Sequence, residues 1–383
     1  MSRWRLVRGC TSPPVIIVLA AAPWSVARRA TAGSEPARLL YANKRRKSTL
    51  VVQSGSIRHL LASSAVRLRV GPKPAGDLPF DVVGLGLNSV DLVAAIAGPL
   101  RPDGKHPAET MRRVAGGQTA TAMATCAKLG WRARYVGHFG GDDNGRFSES
   151  SLADAGVDVS ACRRLPATTN QFAIIMVDRQ SGQRTIVWQR DPALRMRTAD
   201  VEAEAVTAGR VLLVDCAETE AATEAARFAR GAGIPTIIDV ERVRPKIEAL
   251  LDEVDVIIAA QAFPSAFTGV PDLGRAMREL ASRFDAALTA VTLGAEGSLA
   301  LVGGQEIRSP GRPVDIVDTT GAGDAFRGGF IAGWLASGPQ AEVGDLLAYA
   351  NAVGALNCRG LGARGGLPTA REVDALLGRA PSR

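Results

Sequence analysis

Histidine is scarce in this chain and cysteine is unpatterned. Only His59, His106 and His138 occur in 383 residues, with no ligand spacing between them, which argues against a histidine-based metal site or a catalytic triad. The five cysteines, Cys10, Cys126, Cys162, Cys216 and Cys358, show no paired metal spacing and lie mostly in apolar or helical surroundings, so they read as reduced packing residues in a reducing compartment. No GxxxxGK[ST] stretch is present, which removes a P-loop as the source of any phosphate binding. The N-terminal apolar run, residues 15–22, is too short to span a bilayer as a helix, so no stable membrane insertion is expected.

Acidic residues are nearly missing from one region. Residues 1–79 hold 14 Lys and Arg against Glu35 and Asp77, a net of +12, so the remaining 304 residues carry −4 of the overall +8. The basic balance belongs to this extension, which has no sustained amphipathic pattern and is rich in Arg, Ser, Ala and Pro. It reads as a disordered segment, a targeting segment or a misassigned start. Arg3, Arg5 and Arg8 before residues 15–22 resemble a signal peptide, and the acid-poor stretch also suits an organelle transit peptide. The mildly acidic body argues against a nucleic-acid partner. With 46% hydrophobic residues the chain has the composition of a soluble globular protein, long enough for one large domain or two ordinary ones.

The stretch that carries chemistry is residues 313–330, PVDIVDTTGAGDAFRGGF. VDIV suggests a strand, and Asp318, Thr319 and Thr320 lead into Gly321, Ala322 and Gly323 before a helical pattern begins at Asp324. A glycine turn at a helix N-terminus lets several N–H groups point at one anion, which the helix dipole also favours. Asp324, in the first turn behind those donors, could take a proton from an attacking hydroxyl, and an anion cradle beside a base suits phosphoryl transfer. A lone Gly-rich tetrapeptide would read more simply as a capped helix, but this stretch is far longer.

DTTGAGDAFRGGF resembles the C-terminal signature of the PfkB carbohydrate kinases, the ribokinase-like family, with the resemblance running over roughly residues 80–370. A second stretch, RRVAGGQTATAMATCAKLGW, has a tight Gly116-Gly117 turn and then a helix over about 118–129, with Gln118 and Thr121 offering polar groups on its first turn; it resembles the family's sugar-binding motif. The resemblance implies that Asp91 hydrogen-bonds sugar hydroxyls and that Asp324 is the base. Thr121 stands where many members have Asn, and a hydroxyl cannot reproduce the paired donor and acceptor of an amide, so substrate identity stays open.

The rest of the chain suits that fold. FDVVGLGLNSVDLVA gives the first strand, closing in a Gly/Asn/Ser turn. Strands at about 88–115 and 163–190, the latter including a hairpin around RQSG, form a small β-sheet lid, with Gln171 a ligand or interface candidate. Asp142 and Asp143 read as helix-capping acids. Strands at 211–215, 236–240 and 254–259, alternating with helices, make a doubly wound, mostly parallel α/β sheet flanked by helices. AALTAVTLGAEGSLAL matches the family's nucleotide-binding turn, which assigns Thr292, Gly294 and Gly297 to the nucleotide and Asn351 to its base or ribose. The loop from Arg359 could hold a monovalent cation, K⁺, near Asp318. The Asn and Glu by which many members organise magnesium are missing from AQAFPSAFTG, where Gln261 is a loose substitute, so Mg²⁺ would be held through water and nucleotide.

The resemblance therefore implies a cytoplasmic, ATP-dependent kinase of a small-molecule sugar in the domain 80–383, dimeric through its lid. Its rivals are a nucleoside kinase, which calls for an aromatic lid, a sugar-phosphate kinase, which calls for extra Lys or Arg near Asp91 and Gly117 that the sequence does not clearly show, and a non-catalytic sugar or nucleotide sensor.

Overall fold

The computed structural model describes residues 66–181 and 183–380, together with four strand segments nearer the N-terminus. Those segments, β1 (Val18–Leu19), β2 (Val26–Arg28), β3 (Arg38–Asn43) and β4 (Arg46–Val51), pair antiparallel in that order and belong to a separate unit, residues 1–65. The disordered, targeting or misassigned-start readings of the extension otherwise fall outside the described residues. The larger unit begins at Val66 rather than near Phe80. Residues 66–79 are packed on it: Leu68 is buried in the core, and its N–H donates to the Ala341 carbonyl at 3.3 Å.

The main sheet has eight strands in the order β18-β17-β16-β15-β14-β13-β5-β8. These are β5 (Val82–Leu85), β8 (Ala133–Val136), β13 (Val211–Asp215), β14 (Thr236–Val240), β15 (Val256–Ala260), β16 (Leu288–Thr292), β17 (Ser298–Val302) and β18 (Gln305–Ser309). All neighbouring pairs from β16 to β8 are parallel, and β17 and β18 extend the edge antiparallel. Strand residues point alternately to the two faces. Val211 and Leu213 join the core formed with helices α1 (Gln118–Lys128), α5 (Ala322–Ser337) and α6 (Val343–Asn357). Leu212 and Val214 join the opposite core, with α3 (Thr219–Gly231) and α4 (Leu273–Arg283). Helices on both faces bury the strands from β8 to β17, while the edge strand β18 is largely exposed, and this burial explains the continuous apolar runs of the central strands.

A second sheet, ordered β12-β11-β6-β7, is built from β6 (Ser89–Ile96), β7 (Ala108–Gly116), β11 (Phe172–Asp178) and β12 (Arg184–Gln189). Strands β9 (His138–Gly140) and β10 (Arg163–Leu165) pair only with each other. The helix α2 (Asp143–Asp154) is capped by Asp142, whose carboxylate accepts from the Gly145 N–H at 2.9 Å, as the capping reading expects.

Two local expectations are corrected. VDIV before the signature is not a strand: residues 310–317 carry no regular structure, with Pro310, Gly311 and Pro313 breaking the run and Ile316 left exposed. The helix after it starts at Ala322, not Asp324, so Ala322 and Gly323 already belong to its first turn.

Candidate active site

A cleft of about 1400 Å³ opens at the C-terminal ends of the parallel strands, where ligands of open α/β sheets are held, and the second sheet forms one of its walls. The residues of the signature turn, Gly321, Ala322, Gly323 and Asp324, all line it. Gly321 caps α5 with φ of 74°, and a Cβ there would lie 2.3 Å from the Ala363 carbonyl oxygen, so only glycine fits both the left-handed backbone and the close approach. The Ala322 N–H donates to the Thr319 carbonyl at 3.3 Å. First-turn N–H groups have no acceptor within their own helix, which leaves this turn suited to an anion.

Asp324 is half-buried in that first turn. Burial raises its carboxyl above the usual range and Glu241 and Asp215 add to the rise, while the charges of Arg327 and Arg184 oppose it. Arg327 is a residue of the cleft that sequence reasoning did not single out. It is 3% exposed, and its guanidinium lies 2.8 Å from the carboxylate of Asp239, itself 2% exposed, and donates to the Ile258 carbonyl at 3.2 Å. A Cβ built on Gly323 would sit 2.6 Å from an Arg327 Nη, so the cation rests directly against the signature turn. Both Arg327 and Asp239 reach the cleft.

The facing wall of the cleft comes from the second sheet. Val114, Asp91, Ala173 and Trp188 lie in register across β7, β6, β11 and β12, and Asp91, Ala173 and Trp188 face the cleft. Asp91 accepts from Ser89 Oγ at 2.9 Å, and its carboxyl is pushed up to about 6 by burial, against the Ser89 hydrogen bond and the charge of Arg364, with Asp324 and Asp318 adding to the rise. Gly117 and Gln118 line the cleft beside it, as does Gln171. Beneath them the fully buried Asp215 accepts from Leu87 N–H (2.7 Å), Thr119 Oγ1 (2.6 Å) and Ala217 N–H (2.9 Å), tying the loop after β5, the start of α1 and the end of β13 together.

Gly116 is required here for space. A Cβ at that position would lie 2.2 Å from Asp91 Oδ2. Gly116→Ala should therefore displace the carboxylate and weaken a ligand hydrogen-bonded to Asp91 by about tenfold or more, since a charge-assisted hydrogen bond contributes about 1.5–3 kcal/mol, while a ligand at the far end of the cleft is bound as before; calorimetric binding checks it.

Thr121 does not line the cleft. It is fully buried, and its hydroxyl accepts from Arg364 Nε at 3.3 Å, while the same guanidinium donates to the Gly116 carbonyl at 3.0 Å and to Ser151 Oγ at 3.3 Å. Arg364, from the loop after α6, thus takes up the hydroxyl that was expected to meet substrate. Only its proximity to Asp91 in space could have flagged it.

At the other end, Thr292, Gly294, Gly297 and Asn351 line the cleft where β16 ends. The Asn351 amide N–H groups are taken by Ser298 Oγ and the Ser309 carbonyl, both at 3.1 Å, so this residue holds the wall together and keeps only its carbonyl oxygen for a ligand. Asp318, expected beside a monovalent cation, is fully buried. One oxygen accepts from Thr320 N–H (2.9 Å) and Oγ1 (2.7 Å), the other from Gly362 N–H (2.8 Å), so its carboxylate clips the signature to the 359–366 loop.

The model of the pfkB family carbohydrate kinases matches residues 80–370. The chain belongs to the PfkB family. This PfkB kinase is 30% identical over 279 residues to an ATP-dependent ribose-1-phosphate kinase from Halopiger xanaduensis, covering 72% of this chain and 90% of the relative. It is 31% identical over 297 residues to a fructokinase from Klebsiella pneumoniae, covering 73% and 95%. Its fold is shared with Arabidopsis thaliana ribokinase in complex with ribose and ATP, at a TM-score of 0.66 and 24% identity over 79% of this chain and 99% of that one. Among the described residues, no helix is long and apolar enough to cross a membrane.

Proposed function

We propose that this PfkB kinase transfers the γ-phosphoryl group of ATP to a hydroxyl of a sugar or sugar-like acceptor, with Asp324 as general base. The observation that carries this reading is one cleft holding a carboxylate in the first turn of α5, behind a glycine-capped helix start, and a second carboxylate, Asp91, on the facing sheet. The names of the relatives support ATP as donor and a sugar-type acceptor.

Asp91 and Gln118 would orient the acceptor so that its hydroxyl meets Asp324. The base takes that proton as the oxygen attacks phosphorus, and the N–H groups of the signature turn stabilise charge on the moving phosphoryl oxygens. Thr292, Gly294 and Gly297 would hold the nucleotide. Magnesium supplies neutralisation of phosphate charge when bound. An ion carried mainly on phosphates and water would have Glu241 as the carboxylate at hand on the cleft wall. The intact base weighs against a sensor that kept only the fold.

A coupled assay of ADP release over ketoses, aldoses and nucleosides tests the assignment. Acceptor-dependent ADP release is the expected result; ATP hydrolysis that no acceptor stimulates, or no ATP binding at all, would defeat it.

A further inference from the structure

Arginine is unusually dense around the cleft, and most of it can be assigned. Arg327 is paired with Asp239. Arg184, the first residue of β12, donates to Thr319 Oγ1 at 3.0 Å above the signature. Arg312, next to Gly311 against the 294–297 turn, falls to the nucleotide end. The residues left over come from two neighbouring places. Arg190 and Arg195 follow β12 and line the cleft with Ala217 at the end of β13; Arg242 and Arg244 follow β14, the next strand. Glu218 neutralises Arg190 and Glu241 pairs with Arg242 at 2.7 Å. Arg195 has no side-chain hydrogen bond or ion pair among the described residues, although the charge of Glu220 acts on it, and Arg244 has none; Arg244 Nε, like those of Arg190, Arg312 and Arg327, is buried without an acceptor.

A buried guanidinium donor without an acceptor is costly, and the flat fork of arginine matches the two oxygens of a carboxylate or phosphate. Neutral sugar hydroxyls would leave the charge of Arg244 unanswered and that of Arg195 met only by the more distant Glu220. We propose that the acceptor of this kinase is an anionic sugar, bearing a phosphate or a carboxylate that Arg244 and Arg195 bind on the β13–β14 side of the cleft. The proposal rests on the transfer reading above and narrows it. The two loops that carry these arginines, after β12 and after β14, are about 50 residues apart in sequence, so no single stretch near Asp91 or Gly117 announces them.

The test is steady-state ADP release by the full chain with ribose 5-phosphate, fructose 6-phosphate and gluconate, each beside its neutral parent sugar, and calorimetric binding of the same compounds. At least one anionic acceptor should exceed its neutral parent in kcat/KM by about tenfold, the worth of one charge-assisted contact. A phosphate ester being favoured identifies phosphate as the source of the anion; gluconate being favoured identifies carboxylate. Arg244→Gln should erase the preference while the ATP KM moves less than about twofold. Should that variant fold poorly, Arg195→Gln, at an exposed position, should reduce the preference in the same direction. Neutral sugars being preferred throughout, no anionic compound binding at millimolar concentration, or Arg244→Gln raising the ATP KM with the acceptor KM unmoved would each overturn the proposal. Asp324→Asn separates the two readings: it should abolish turnover of every acceptor yet leave binding of the anionic one intact, whereas full turnover by that variant would remove the base and leave the anion site standing.

Discussion

Asp324→Asn is expected to lower kcat by about three orders of magnitude, within the range that a positioned general base contributes, while the dissociation constant for ATP changes by no more than about threefold. The amide has nearly the shape of the carboxylate, so the glycine-capped turn and its N–H groups stay in place and nucleotide binding with them. What is lost is the acceptor for the hydroxyl proton. The acid side of the pH profile should point to the same group. Burial raises the Asp324 carboxyl, so the base is protonated, and activity lost, as pH falls through a value above the ordinary carboxylate range. Linkage gives the matching stability trend: the folded state holds this proton more tightly than the unfolded chain, so the contribution of Asp324 to stability is larger at low pH and is lost as pH rises through its folded pKa. Wild-type turnover in the Asn variant would remove Asp324 from the mechanism.

The signature and the strand-helix alternation made the family and the doubly wound sheet legible before any coordinates, because both are local patterns: glycine spacing at a turn, and apolar runs of strand length between helical ones. The second sheet was legible for the same reason. What escaped depends on contacts between distant segments. VDIV has the composition of a strand, but the proline and glycine before it leave the run unpaired, and Val317 and Asp318 donate their N–H groups to the single carbonyl of Cys358 instead. Residues 66–79 carry no periodic pattern, yet Val66 and Leu68 pair with the segment around Glu342 and close that edge of the core. Thr121 was read as facing substrate because it lies on the first turn of α1; Arg364, 243 positions later, covers it. Within the site, glycines and carboxylates are visible in sequence, whereas the arginines that set their charge are visible only in space.

Arg327 is the sharpest case, since an arginine in a helical stretch usually reads as solvent-facing, and here it is buried beneath the site. Arg327→Met should have two separable effects. Removing the cation leaves Asp239 buried without its partner, and breaking such a pair from one side costs about 3–5 kcal/mol, read as a clear drop in Tm. Asp324 also loses the largest influence that opposes its burial, so the acid limb of the kcat profile should move to higher pH and kcat at neutral pH should fall. Asp239→Asn separates these. It keeps the cation and frees its charge from the buried carboxylate, leaving Arg327 to act on Asp324 alone, so the acid limb should move to lower pH, although the variant also disturbs the buried pair. The groups facing Asp324 are Arg327 on its own helix, Asp239 and Glu241 from the end of β14, Asp215 from β13 and Arg184 from β12, and only the first two are changed by these variants. Opposite displacements of one pH limb cannot come from loss of stability alone, which would lower activity in both variants without moving the limb. If both limbs stay where the wild-type limb lies, Arg327 and Asp239 form a structural pair, and the charge on Asp324 is set by its burial.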